Sequence, residues 1–166
     1  MSRFLSKRYK SILPYVPGEQ PQEGRFVKLN TNENPYPPSD KTLKKIGVDE
    51  LKRLKLYSDP EAKKSTSAVA AYYGVGTDNV LMTNGSDEAL AFCYAAFCDA
   101  EREVVSPEIS YGFYPVFCEL FLLKYHFIPL DSNYKVDVPK FCGINKNIVI
   151  ANPNAPTGIA LTLMEN

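Results

Sequence analysis

Between Asn79 and Ala151, short β-branched and aromatic runs alternate with longer segments of helical spacing. No other feature limits the fold of this chain so tightly. Asn79–Met82 reads as strand, Ser86–Cys98 as helix, Glu103–Val105 as strand and Gly112–Leu123 as helix, and Tyr125–Leu130 and Asn147–Ala151 supply two more strands. Strands that alternate with helices of ten or more residues specify an α/β fold with a parallel sheet. In open sheets of that kind ligands bind outside the carboxyl ends of the strands, so the loops that follow the strands are where chemistry is expected.

Upstream the chain is organised differently. Pro14 to Arg25 is rich in Pro, Gly, Gln and Glu and reads as an extended arm. Val27–Leu29 has the composition of a short strand, and Asn30–Pro38 is rich in turn residues. A helix is expected from Ser39 or Asp40, ended or interrupted by Gly47. Ser58-Asp59-Pro60-Glu61 has the form of a capping box with proline at the first helical position, and Gly74 closes that segment. The implied division is residues 1–40 as arm and substrate-facing loop, and residues 41–166 as a domain.

Composition excludes several function classes. Nineteen basic and nineteen acidic side chains cancel, and without a basic stripe neither nucleic acid nor an acidic membrane surface is expected as partner. Arg3, Lys7, Arg8 and Lys10 are followed by no apolar segment, so the N-terminus does not read as a signal peptide. No stretch is long and apolar enough to span a bilayer. Cys93, Cys98, Cys118 and Cys142 lack C-x-x-C spacing and read as buried free thiols, which suits a reducing, cytoplasmic compartment. The single histidine, His126, lies in an apolar run and reads as a partly buried strand residue, leaving almost no ligands for a metal.

Three loops carry the chemistry. Thr83-Asn84-Gly85-Ser86-Asp87-Glu88 joins a strand to a helix. It is either an ordinary N-cap, with Ser86 or Asp87 satisfying the first turn, or a phosphate site built on free amides and the helix dipole. A dinucleotide site is disfavoured, because G-x-G-x-x-G is absent. Pro107-Glu108-Ile109-Ser110-Tyr111-Gly112-Phe113-Tyr114 sets aromatics just after the next strand, suited either to core packing or to lying on a planar cofactor ring. Asn152-Pro153-Asn154-Ala155-Pro156-Thr157-Gly158 follows the last apolar run as a shaped turn.

In that order the three loops resemble the large domain of fold-type I pyridoxal-phosphate aminotransferases. Leu29-Asn30-Thr31-Asn32-Glu33-Asn34-Pro35 and Leu56-Tyr57-Ser58-Asp59-Pro60 narrow the resemblance to the histidinol-phosphate aminotransferase family and its close relatives. The implied fold is an N-terminal arm and a partial three-layer α/β/α large domain. The implied cofactor is pyridoxal 5'-phosphate, in a homodimer with a small phosphorylated amino-acid substrate. The implied reaction moves an amino group between glutamate or 2-oxoglutarate and an imidazole-acetol phosphate. Same-superfamily alternatives are an aromatic-amino-acid aminotransferase and a threonine-phosphate decarboxylase. An alternative of another class is a non-catalytic α/β protein that binds a phosphorylated ligand.

Residue roles follow from the resemblance only where residues match. Ser86 and Asp87 fall at the helix N-terminus whose amides hold the cofactor phosphate, and Tyr111 falls at the aromatic stacked on the pyridine ring. Tyr57 corresponds to a tyrosine that reaches the partner subunit's cofactor, while Tyr15 and Asn34 correspond to substrate-facing positions. Asn154 lies in the segment whose asparagine bonds the cofactor's phenolic oxygen. The residue immediately before Pro-Thr-Gly is, however, Ala155, so either Asn154 or Asn152 substitutes or the bond is lost. The family's cofactor-linking lysine, its ring-nitrogen aspartate and its substrate arginine lie downstream of this loop. The expectation is therefore a chain that is inactive alone.

Overall fold

The computed structural model describes Ser6, Tyr9 and residues 27–164. Of these, the residues within Val16–Met82 form one compact unit, and those within Thr83–Asn166, with the two near the N-terminus, form another. The boundary read from the sequence at residue 40 lies inside the first unit.

In the first unit, helix α1 (Asp40–Lys45) is capped by the Ser39 side chain, which accepts from the Thr42 amide. Helix α2 (Val48–Lys52) follows Gly47 and runs into a 3-10 turn, Arg53–Lys55. Neither α1 nor α2 contains a buried residue. Helix α3 (Lys63–Tyr73) ends on Gly74 at φ +68°, the left-handed conformation that glycine adopts without a Cβ penalty. Its start departs from the capping box. The Asp59 carboxylate, not Ser58, accepts from the amides of Glu61 and Lys63, at 3.1 and 3.0 Å, so the helix begins three residues after Pro60. Those two amide bonds hold the Asp59 carboxyl below its usual range.

Two expected strands are not formed among the described residues. Val27–Leu29 is irregular, and Asn79–Met82 is replaced by a 3-10 turn, Thr77–Asn79, with an extended but unladdered continuation. Val80 does have extended backbone, φ −127° and ψ 120°. An alternating sequence sets backbone shape, whereas a strand also needs a neighbour.

The second unit is the parallel α/β structure. Helix α4 (Ser86–Phe97) leads to β1 (Val104–Pro107), helix α5 (Tyr114–Phe121), β2 (Tyr125–Ile128), a 3-10 turn at Val138–Phe141 and β3 (Asn147–Ile148). The order is β2-β1-β3, all parallel, with Val104 opposite Tyr125 and Asn147. The ladder runs one step beyond β3, since the Val149 amide donates to the Val105 carbonyl at 2.9 Å.

Every residue of β1 is buried, as a central parallel strand covered on both faces requires. Alternation sends Val104 to one face and Val105 to the other. Val104 packs with Tyr94 of α4 and with Phe117, Cys118 and Leu123 in and after α5. Val105 packs with Ile128, Val136 and Phe141. The Tyr94 ring stacks on Phe117 at 5.2 Å. Burial pushes the Cys118 thiol up to about 11. Of the four cysteines only Cys118 is buried, and Cys93 and Cys142 are exposed, contrary to the expectation of buried thiols.

At the amino-terminal edge of the sheet, Glu103 stands before β1. Its Oε2 accepts from Lys146 Nζ at 2.8 Å and lies 3.0 Å from His126 Nδ1. His126 is thus a strand residue on β2, with an exposed side chain rather than a partly buried one. Among the described residues there is no cluster of metal-ligating side chains, and no helix is long and apolar enough to cross a membrane.

Candidate functional site

The opposite edge of the same sheet gathers the three loops. Gly85 is the N-cap of α4 at φ +85° and ψ 174°, a region that only glycine occupies without strain. A Cβ there would meet nothing within 4 Å, so backbone conformation alone demands the glycine. Because the cap has no side chain, no side-chain hydrogen bond closes the helix start. The ordinary N-cap reading is therefore overturned: Ser86 and Asp87 occupy the first two helical positions instead of capping them. Amides at those positions have no intrahelical acceptor, and the positive end of the helix dipole lies there.

Glu88, in the same turn, reaches back. Its carboxylate accepts from the Asn84 backbone amide at 2.7 Å and from the Asn84 side chain at 3.2 and 3.3 Å. The carboxylate plays the returning part of a capping box, but on the amide one residue before the N-cap, and without the hydroxyl half. It secures the loop before the helix and leaves the first helical amides to another acceptor.

Tyr111 follows β1 and donates from Oη to Asp87 Oδ1 at 2.8 Å. Its ring packs edge-on against Tyr114, 5.5 Å between centroids, and lies nearly parallel to Phe113 at 6.3 Å. The side chain remains partly exposed. An aromatic ring is thus tied by its hydroxyl to the start of an uncapped helix.

The third loop is joined to the second from inside. Asn154 is 2% exposed, and its Oδ1 accepts from Ser110 Oγ at 2.9 Å. Its Nδ2 donates to the Ile109 carbonyl at 2.9 Å and to Thr157 Oγ1 at 3.2 Å. Its backbone closes the turn, accepting from Gly158 N at 2.7 Å and donating to the Ile159 carbonyl at 2.9 Å. Asn152 is exposed, and its Oδ1 accepts from the Leu161 amide at 2.8 Å. Ser110, Ile109, Thr157 and Glu88 were not singled out from the sequence. Ser110 alone had a legible signal, a hydroxyl beside the aromatic in a post-strand loop.

In the second unit, then, Tyr111 is bonded to Asp87, the neighbour of Ser86, and Asn154 is bonded to the two residues that precede Tyr111. The other candidates lie elsewhere. Tyr57 and Asn34 belong to the first unit and are exposed, and Asn34 Oδ1 accepts from the Tyr36 amide at 3.0 Å in a local turn. Tyr15 lies outside the described residues.

This arrangement can take an anion and a flat ring side by side. The helix start offers backbone donors to the anion, and Tyr111 offers a face held at a fixed tilt. A phosphorylated aromatic cofactor fits that pairing.

Comparison with known proteins points the same way. Residues 25–165 match the family model described as aminotransferase class I and II. The chain is 44% identical over 158 residues to a histidinol-phosphate aminotransferase of Clostridium beijerinckii, covering 95% of this chain and 44% of that protein. It is 45% identical to histidinol-phosphate aminotransferase 1 of Bradyrhizobium diazoefficiens, covering 97% of this chain and 46% of the relative. The chain thus spans less than half the length of these relatives. A solved structure assigned as a histidinol-phosphate aminotransferase from Erwinia carotovora atroseptica superposes with a TM-score of 0.72 at 25% identity, over 82% of this chain and 41% of that one. A structure from Burkholderia pseudomallei assigned as an aminotransferase shares the fold, with a TM-score of 0.70 at 23% identity over 81% of this chain and 42% of that one.

Proposed function

The chain belongs to the aminotransferase class I and II family, and we propose that it carries the phosphate-facing and ring-facing part of the site of a pyridoxal-phosphate-dependent histidinol-phosphate aminotransferase. The observation that carries this reading is the Tyr111–Asp87 hydrogen bond at 2.8 Å, which pairs a stacking ring with an uncapped helix start. The reaction moves an amino group between glutamate or 2-oxoglutarate and the imidazole-acetol phosphate substrate. The protein acts as a cytoplasmic homodimer in histidine biosynthesis, with neither nucleic acid nor membrane as partner.

When bound, pyridoxal phosphate withdraws electrons from the substrate Cα, and the protein's task is to seat it. The amides of Ser86 and Asp87 hold the phosphate at the positive end of α4, where an anion is favoured by about 0.3–1 kcal/mol from the dipole alone. Tyr111 would stack on the ring, with its hydroxyl held by Asp87 beside the helix start. Asn154 belongs to the site through the loop it holds. Tyr57 reaches the phosphate in the partner subunit, and Tyr15 and Asn34 face the substrate.

The test is transamination by a polypeptide in which these residues are joined to the family's downstream lysine, aspartate and arginine, loaded with pyridoxal phosphate. With 2-oxoglutarate as acceptor, kcat/KM for histidinol phosphate is expected to exceed that for tyrosine or phenylalanine. Preference for the aromatic amino acids would replace the substrate assignment, and failure to take up the cofactor would remove the whole reading. In the same assay Tyr111→Phe keeps the ring and loses the tether. It should retain turnover while weakening cofactor binding by about 1 kcal/mol, a charge-assisted hydrogen bond discounted for exposure.

A further inference from the structure

An asparagine side chain has one carbonyl oxygen and two N–H donors to distribute. In Asn154 both donors are already placed, on the Ile109 carbonyl and on Thr157 Oγ1, and the oxygen accepts from Ser110. The side chain is 2% exposed, and no donor remains to be offered outward. Each of its bonds to the post-β1 loop goes to one of the two residues before Tyr111. We propose that Asn154 is a positioning residue. Its amide straps the Asn152–Gly158 loop to Ile109 and Ser110 and so sets the tilt of Tyr111, without touching the cofactor.

The inference rests on the proposed cofactor site and deepens it. Asn152 uses its oxygen to accept from Leu161 N, and Ala155 has no polar side chain. Asn154 and Thr157 thus turn inward, and through Asn154 the loop acts on Tyr111. The strap crosses from one post-strand loop to the next at the point where the ring-bearing backbone leaves β1. Loss of either end therefore frees the same three residues, Ile109, Ser110 and Tyr111.

The experiment uses the intact protein and two variants, Asn154→Ala and Ser110→Ala, with Val136→Ala as a destabilised control in the core on the other face of the sheet. If the strap sets the ring, both site variants raise the cofactor Kd by about tenfold, the equivalent of one hydrogen bond. Both also change the visible circular dichroism of the bound cofactor, which reports ring tilt, in the same direction. The double variant is no worse than Asn154→Ala alone, because both act on one strap. Val136→Ala lowers Tm and leaves the dichroism unchanged.

Direct contact with the cofactor would look different. Asn154→Ala would move the pH at which the bound cofactor's visible band titrates, while Ser110→Ala would leave band and Kd as they were. That result overturns the proposal, as does an Asn154→Ala that lowers Tm with Kd and dichroism unaltered. Should Asn154→Ala fail to fold, Ser110→Ala alone carries the same readouts. The cofactor-free protein separates this inference from the reading beneath it. Hydrogen exchange across residues 108–111 should be faster in both site variants whether or not pyridoxal phosphate binds. Unchanged exchange refutes the strap, whereas accelerated exchange without cofactor uptake refutes only the cofactor site.

Discussion

The two ends of one three-stranded sheet are fastened by opposite means. At the amino-terminal edge a carboxylate, an ammonium and an imidazole meet in the open, around Glu103. At the carboxyl edge a neutral amide is buried among two hydroxyls and a carbonyl, and every group on the Asn154 side chain is used. Exposed ion pairs are screened by water and contribute little, typically below about 1 kcal/mol. A buried amide network adds modestly while intact and costs heavily when one member is removed, because its partners are stranded. The edge where ring placement matters is thus built from directional bonds that tolerate no slack, and the far edge from a clamp that yields.

The sharpest way to break this contrast is to remove the amide. Asn154→Ala strands Ser110 Oγ and the Ile109 carbonyl in a buried place and should lower unfolding free energy by about 2–3 kcal/mol, measured by urea denaturation of the intact protein. A loss no greater than that from Glu103→Gln would show that the two edges are equivalent after all.

Gly85 tests the same edge through the backbone. With open space around its missing Cβ, Gly85→Ala adds no clash, and the cost is conformational only, about 1–2 kcal/mol. The rest of the effect should fall on the site. The first turn of α4 must rotate to relieve the strain, carrying the amides of Ser86 and Asp87 with it, so isothermal titration with pyridoxal phosphate should show weaker binding. A variant that loses stability and keeps full cofactor affinity would separate the glycine from the site.

How far the sequence carried this structure depends on whether a feature is local. Helix α4 begins at Ser86 and α3 ends at Gly74 as read, because turn and cap conformations are set by the residues themselves. The parallel sheet followed from alternation, and the site from the rule that ligands gather beyond strand ends. What failed was pairwise. Asn79 is drawn into a 3-10 turn and Val80 is extended without a ladder among the described residues, since the pattern specifies a strand but not its neighbour. Asp59 displaced Ser58 as the acceptor at α3, a competition that composition cannot decide. The pairing of Asn154 with Ser110 joins positions 44 residues apart, and nothing local announces it. A polar residue in a loop near a site reads as a ligand until its partners are known.

The smallest effect belongs to the amino-terminal edge, and pH is its instrument. The Lys146 hydrogen bond, with a second contribution from His126, holds the Glu103 carboxyl below its ordinary value of 4.5. A carboxyl whose folded pKa is depressed releases its proton more readily in the folded chain than in the unfolded one. Its stabilisation is therefore fully present above the unfolded value and fades as pH falls through the folded one. Glu103→Gln should consequently cost a small amount of stability near neutral pH, and the difference from wild type should shrink as the solution is acidified below 4.5. Added salt should shrink it as well, since the clamp is exposed. Asn154→Ala, which removes no charge, should show the same deficit at both pH values and at both salt concentrations. Thermal melts of the two variants across that grid would separate an electrostatic fastening from a directional one, and an Asn154→Ala deficit that also faded with acid or salt would erase the distinction between the two ends of the sheet.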